Sequence, residues 1–457
     1  MNTKSFRFLL IGLCLSLIRS RAEPTFASQI ASIIYEHCAD CHRPGQAAPF
    51  PLLSYSDVIK KSKTMMAAIR DGFMPPWHAN SKDFHFKNDR RLSENEIQMI
   101  TAWIEAGMPR GDSGEEPTPP HYDSVWSLGE PDLILTMPRA FSVPADGPDI
   151  YRDFAVPVSL KETKWIKAIE FRPSSLSVHH SLFFLDPEGR AITLEDKKGQ
   201  PGFKNMAGGE DRLFNRSNRS QRPVRGTGLG GWAVGGRARV LPDGLAYQLP
   251  AGADIILSTH FHPTGKRETE QSQVGLYFAE QKPSKDFTTI QLPPVFGALS
   301  GIDIPAGDPQ YRVTDAFTLP VPVKAFGVSA HMHYLGKKAD LKAILPSGES
   351  RELLSISDWD FSWQEAYDYQ ELVQLPAGTV LQGHVIWDNS ANNINNPSTP
   401  PVRVKWGRES TDEMGSISLR VIPDSQEDLK RLQDTYRKHQ RSIIRNRFKK
   451  RLKNRFQ

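Results

Sequence analysis

Cys38-Ala39-Asp40-Cys41-His42 divides this chain into two kinds of fold. Two thiols three positions apart can form thioethers to the two vinyl groups of a haem, and the next residue offers an imidazole to the iron. Thioredoxin-like redox pairs and zinc sites also use such a thiol pair. Here the histidine follows directly, an apolar leader precedes, and the chain has no second pair of this kind. The flanks are helical. Phe26, Ile30, Ile33 and Ile34 recur at helical spacing just before the motif. Ser93-Glu94-Asn95-Glu96 reads as a capping box; Ile97, Ile100, Trp103 and Ile104 follow on one face, and Gly107 closes that helix.

One helix before the motif and one at the end is the pattern of a small cytochrome c domain, expected over residues 23–115. It would carry one covalent haem c, attached through Cys38 and Cys41 with His42 as proximal ligand. Phe73-Met74-Pro75-Pro76-Trp77-His78 is the source of the second axial ligand. The two prolines deny a helix and stiffen the loop, so Met74 can be held against the iron. His78 and Met65 are the rivals. The Met-Pro-Pro-Trp sequence, with the Trp103-Ile104-x-x-Gly107 ending, resembles cytochrome c domains fused to periplasmic oxidoreductases.

Residues 1–22 read as a secretory signal that is removed. Lys4 and Arg7 precede an apolar run, Phe8–Ile18, that is short for a membrane span. Its removal leaves two cysteines, both in the haem motif, so no structural disulfide is expected in an exported, periplasmic protein. The net charge of +5 is unevenly placed. The leader has four basic and no acidic residues, and residues 424–457 have twelve basic and four acidic, which leaves a mildly acidic body. Basic residues in that body do not cluster with stacking aromatics, which argues against a nucleic-acid partner.

Gly111–His121 is rich in Gly, Pro and acidic residues, and a linker is placed at 116–130. Beyond it the pattern changes to short alternating strands between Pro/Gly turns, among them Asp254–Phe261, Lys324–His333, Val380–Trp387 and Ile417–Val421. With 35 Pro and 33 Gly in 457 residues, the expected fold is multi-domain, α followed by all-β, with two β-sandwich domains at 131–285 and 286–423. Gly202–Gly236, rich in Gly, Arg and Asn, reads as a long loop. The basic tail, 424–457, reads as a helix with Leu429, Leu432, Tyr436, Ile444, Phe448 and Leu452 on one side. It fits a solvated helix or, as the alternative, a peripheral contact with an anionic membrane surface.

The β region carries the metal-binding signals. His331 and His333, two apart on a strand, face the same way and can present both imidazoles to one ion. Met414 can supply a thioether. Two imidazoles and a thioether form a soft set that suits copper, above all Cu(I), and leave a position open for dioxygen. His179 and His180 are adjacent, so joint ligation needs a bulge or bend. Either His260 or His262 could complete a three-imidazole site, and spacing alone does not choose between them.

These residues, in this order, resemble the copper type II, ascorbate-dependent monooxygenases, the family of peptidylglycine α-hydroxylating monooxygenase and dopamine β-monooxygenase. The likeness rests on Val178-His179-His180, Thr259-His260-Phe261-His262-Pro263, Ala330-His331-Met332-His333-Tyr334-Leu335-Gly336 and Asp412-Glu413-Met414. Trp387-Asp388-Asn389-Ser390 and the Asn-rich run after it are less specific. The resemblance implies two jelly-roll-like domains with one copper on each. His179, His180 and His260 would hold an electron-transfer copper; His331, His333 and Met414 would hold the catalytic one, which binds dioxygen. Two positions depart from the peptide-amidating branch, where an Arg and a Tyr hold the peptide carboxylate. Here they are Ser329 and Ser418, which argues against a glycine-extended peptide.

Together these features predict an exported monooxygenase that hydroxylates a C–H bond of a small organic molecule with O2. Electrons would reach it through the fused haem from a reduced periplasmic carrier or an ascorbate-like reductant. The alternative is a non-catalytic haem/copper electron-transfer or copper-binding protein. A zinc hydrolase is a weaker third, because methionine is a poor zinc ligand.

Overall fold

The computed structural model describes residues 23–46, 48–122, 124–194, 199–203 and 227–455. The expected signal segment and the middle of the Gly202–Gly236 stretch lie outside them. The described residues form two compact units. The smaller comprises the chain up to Asp40, Pro51–Met74 and Leu92–Pro120; the larger comprises Cys41–Phe50, Pro75–Arg91 and the chain from His121 onward.

The smaller unit is helical because each helix has a polar start and an apolar face. Ser54 accepts from the Asp57 amide at the start of Tyr55–Arg70. Ser93 and Glu96 form the expected reciprocal capping box of Glu94–Glu105. That helix ends in the two bonds of a Schellman motif, Gly107 N–H to Ile104 O and Met108 N–H to Trp103 O, with Gly107 at φ +83°. Phe26, Ile30 and Ile34, from Phe26–Ile30 and Ala31–His37, are fully buried with Ile100 and Trp103. The Trp103 indole donates to Pro109 O at 3.0 Å, so its polar atom is satisfied inside the core.

The larger unit is antiparallel β-structure in two modules, each with two sheets facing one another across a core. In the first module one sheet runs Leu133–Thr136, Gln273–Phe278, Lys164–Arg172, Arg239–Val240. The facing sheet runs Ile150–Pro157, Asp254–Phe261, Val178–Asp186, Thr227–Ala233. Phe154, Ile166, Phe171, Leu257 and Leu276 fill the space between them. In the second module Thr288–Leu292, Gly415–Pro423, Val323–Met332 and Ala366–Leu375 form one sheet. Tyr311–Thr318, Val380–Trp387, Gly336–Ile344 and Ser350–Ile356 form the other, over Val328, Leu341, Leu381, Trp387 and Leu419.

Four expectations change. Asp254–Phe261 does not alternate; all eight residues are buried. Its second face is covered by Ala191 and Phe203, which pack on Ile256. Within Gly202–Gly236, Thr227–Ala233 is a strand, because the edge of Val178–Asp186 supplies its hydrogen bonds. Pro75–Arg91 belongs with the second β module instead of the helical unit. Asn80 exchanges backbone hydrogen bonds with Ser355, Phe86 stacks on Tyr369 and Arg90 pairs with the Glu365 carboxylate. The tail helix Gln426–Arg455 is docked on that module. Leu432 is fully buried, the Tyr436 hydroxyl donates to Gln291 O at 2.7 Å, and His439 meets Asp315 at 3.0 Å. Among the described residues no helix is long and apolar enough to cross a membrane.

Candidate metal centre

His179 and His180 open the strand Val178–Asp186. Its pairing with Asp254–Phe261 slips between Val178, opposite Phe261, and His180, opposite His260. His179 is the residue inserted at that slip. The bulge turns two neighbouring side chains toward one point, which a regular strand cannot do. The Nδ1 atoms of His179 and His180 are 3.1 Å apart, and those of His180 and His260 are 3.4 Å apart. Imidazole nitrogens that share one ion at about 2.0–2.1 Å stand about 3.3–3.6 Å from one another. Ligand atoms of all three histidines lie within 4.8 Å of one another. The donor set therefore fits a single transition-metal ion.

Burial keeps the His179 and His180 rings neutral. It pushes His179 down to about 3, with the neighbouring His260 adding to the effect. His180 is driven well below the ordinary range for the same first reason. A neutral imidazole has the lone pair a metal needs.

His260 is selected over His262 by its surroundings. Its ring is 1% exposed, whereas the His262 side chain is 59% exposed. One carboxylate serves both: Asp149 meets His260 Nε2 at 2.9 Å and His262 Nδ1 at 2.7 Å. That contact fixes the His260 proton on Nε2 and leaves Nδ1 facing His180. Burial pushes the Asp149 carboxyl up, but hydrogen bonds from His260, Ser410 and His262 outweigh it and hold the group well below the usual carboxylate range. Tyr151 stacks on His260 at 4.3 Å between ring centroids, and its hydroxyl is 3.0 Å from Ser410 Oγ.

The second set lies on the second module. His331 pairs with Ser416 and Met332 with Gly415, so Met414 stands beside His333. His331 Nδ1 is 2.6 Å from Gln364 Oε1, and the Gln364 amide nitrogen donates to Phe361 O, which fixes the oxygen toward the ring. His333 Nδ1 donates to Asp412 O at 3.1 Å. Both Nδ1 atoms are thus engaged, and the His333 ring has a further backbone partner in Glu409. Burial lowers both imidazoles, His333 to about 3. Glu413 is fully buried. It accepts from the amides of His333 (3.0 Å) and Leu335 (2.6 Å) and from the Trp387 indole (2.8 Å). Trp387 also reaches Met414 O at 3.2 Å. A buried carboxylate thus ties the histidine turn to the methionine.

The two sets face each other: the rings of His180 and His331 are 6.5 Å apart between centroids. Phe361 packs on both, at 4.8 Å from His179 and 5.6 Å from His333. Asp149, Gln364 and Phe361 belong to no motif, and Glu413 stands in the Asp412-Glu413-Met414 motif without its clamping role being readable there. Asp149 is 111 positions from His260, and no local spacing links them.

At the haem motif, Cys38 caps the helix Ala31–His37 in the smaller unit, and Cys41 and His42 belong to the larger. Cys38 and Cys41 form no disulfide among the described residues. His42 Nδ1 is 3.0 Å from Phe50 O, which commits Nδ1 as donor. Met74 ends a segment of the smaller unit, while its rival His78 lies in the larger, where its buried Nδ1 has no hydrogen-bond partner among the described residues.

No family model and no curated protein matches this chain. Among solved structures, the major capsid protein P2 of bacteriophage PM2 is similar over 61% of this chain and 98% of its own, at 10% identity and a TM-score of 0.23. PNGF-II is similar over 65% of this chain and 63% of its own, at 12% identity and a TM-score of 0.23. The infectious bursal disease virus Gx strain structure covers 64% of this chain and 72% of its own, at 10% identity and a TM-score of 0.15. Likenesses this slight carry no argument about fold or function.

Proposed function

We propose that this chain is an exported copper-dependent monooxygenase that hydroxylates a C–H bond of a small organic substrate, with electrons delivered through a fused haem c. The observation that carries the proposal is the arrangement of five imidazoles in two facing sets. One is closed by three nitrogens and a carboxylate behind them; the other has two nitrogens beside Met414. The two modules of paired antiparallel sheets suit the jelly-roll-like domains that the copper type II monooxygenases imply.

His179, His180 and His260 would hold one copper; His331, His333 and Met414 would hold the other; Cys38, Cys41, His42 and Met74 would hold the haem. Bound copper would supply dioxygen binding and one-electron chemistry, and the haem a one-electron reservoir. The chain's own residues do the rest. Asp149 and Gln364 fix ring tautomers, at Nε2 of His260 and Nδ1 of His331. Glu413 holds the His333 turn and the Met414 backbone together. Phe361 packs between the sets and limits water there.

The test is oxygen uptake by the copper- and haem-loaded, reduced protein against a panel of small organic substrates, with labelled dioxygen. Substrate-coupled uptake with one labelled oxygen atom in the product is expected. Metals that cycle without substrate-coupled uptake would favour the electron-transfer alternative.

A further inference from the structure

The tail helix Gln426–Arg455 carries a surface that neither the metal centre nor the packing uses. Leu432, Tyr436, His439 and Arg447 share the docked side of this helix. The Arg447 guanidinium donates to Leu299 O at 2.6 Å, and Gly301, at φ +84°, allows the close approach: a Cβ there would stand 3.0 Å from Arg447 Cζ. Ile444 and Phe448 do not join that side. They follow Leu432 and Tyr436 by twelve residues each, which turns them about 120° round the helix. They are 40% and 55% exposed. Arg441, Ile444, Arg445 and Phe448, at i, i+3, i+4 and i+7, thus form one outward face, with exposed Arg437, Lys438 and Lys449 at its borders. Asp434 is already paired with Arg437, at 2.5 Å. From Thr435 to Arg455 there are ten Lys or Arg and no Asp or Glu. Arg441, Arg445 and Lys449 have no carboxylate partner among the described residues.

We propose that this outward face binds an anionic phospholipid surface, with the helix axis lying along the membrane plane. Ile444 and Phe448 would enter the boundary between headgroups and acyl chains. The surrounding Arg and Lys side chains would lay their stems on the same boundary and carry their charges to the lipid phosphates. A merely solvated helix accounts for the charge, but not for two large apolar side chains in the middle of the cationic face. Single-stranded nucleic acid suits the face less, because base stacking needs a row of aromatic platforms and Phe448 is the one aromatic side chain described there. Docking gives the face a consequence. The helix is already ordered on the second β module, so binding does not have to fold a free segment first. Binding would hold that module at the membrane. The inference goes beyond the monooxygenase reading and does not depend on any metal.

The experiment is co-sedimentation of the purified full chain with vesicles of phosphatidylcholine alone and of equimolar phosphatidylcholine and phosphatidylglycerol, at low and high salt. The anionic vesicles should bind at least about tenfold more tightly than the neutral ones, and less so at high salt. Arg441→Glu with Arg445→Glu should weaken that binding at least about tenfold. Phe448→Ser should weaken it at least about threefold, which a purely ionic contact would not show. The matched reversals Lys266→Glu with Arg351→Glu, elsewhere on the larger unit, should change it less than about twofold. All these chains carry the same leader, so differences among them read the tail. Thermal unfolding checks that each variant folds; should the arginine pair not fold, Lys438→Glu with Lys449→Glu takes its place. Equal binding to both kinds of vesicle, equal loss from the matched reversals, or no loss from Phe448→Ser would overturn the inference. So would capture of a DNA duplex that the anionic vesicles do not displace, which would give the face to nucleic acid. Failure here leaves the copper proposal untouched.

Discussion

The two histidine sets are built from the same residue type and differ in what stands behind each ring. In the first, a carboxylate backs the ligand: Asp149 holds His260 at 2.9 Å. In the second, neutral acceptors back both ligands, the Gln364 amide and the Asp412 carbonyl. The rings are also reversed, with Nδ1 turned inward in the first set and committed outward in the second. A carboxylate behind a ligating imidazole makes it a stronger donor, which favours the more highly charged metal. Neutral acceptors and a thioether favour Cu(I). Under the copper proposal, the supporting residues would give the two sets different redox preferences.

The largest expected effect breaks one set and leaves the other. His180→Ala should remove one copper per chain and spare the Met414 site, read as metal content after dialysis. Loss of both coppers would show that the sets are not separable. Met414→His comes next. It should retain copper and lose most hydroxylation, since a harder donor shifts the site toward Cu(II). Full activity would remove Met414 from the oxygen-binding role.

Asp149→Asn sharpens the comparison. It should weaken copper at the first set about 10–100-fold and leave the second within about twofold, measured by chelator competition. Equal weakening of both sets would mean that Asp149 acts through the fold, by way of Ser410. The smallest effect is expected from Gln364→Leu. It should weaken only the second set, by less than Asp149→Asn weakens the first, because a neutral acceptor supports its ring less strongly than a carboxylate.

Much of this was legible in the sequence. The capping box at Ser93, the helix stop at Gly107 and the strand carrying His331 follow from local spacing and turn chemistry. So does the need for a bulge at His179, since adjacent residues cannot share a face without one. The supporting groups were not legible. Asp149, Gln364 and Glu413 reach histidines 111, 33 and 80 positions away, and tertiary pairing alone brings them there. Thr227–Ala233 was hidden for a different reason. Three of its seven residues are glycine, which have little strand preference, and the neighbouring strand's edge decides its state. The tail's helix and its apolar side, Leu432 included, were legible; its docking was not, because the partners Gln291 and Asp315 lie 145 and 124 positions away.

X-ray absorption at the copper edge, on the full chain loaded anaerobically with Cu(I), tests the central claim most directly. Two coppers per chain are predicted, with one sulfur neighbour per chain, on the Met414 copper alone, and imidazole nitrogen elsewhere. That sulfur should vanish in Met414→His. A single tightly held zinc with no copper, or two coppers with no sulfur neighbour, would contradict the account.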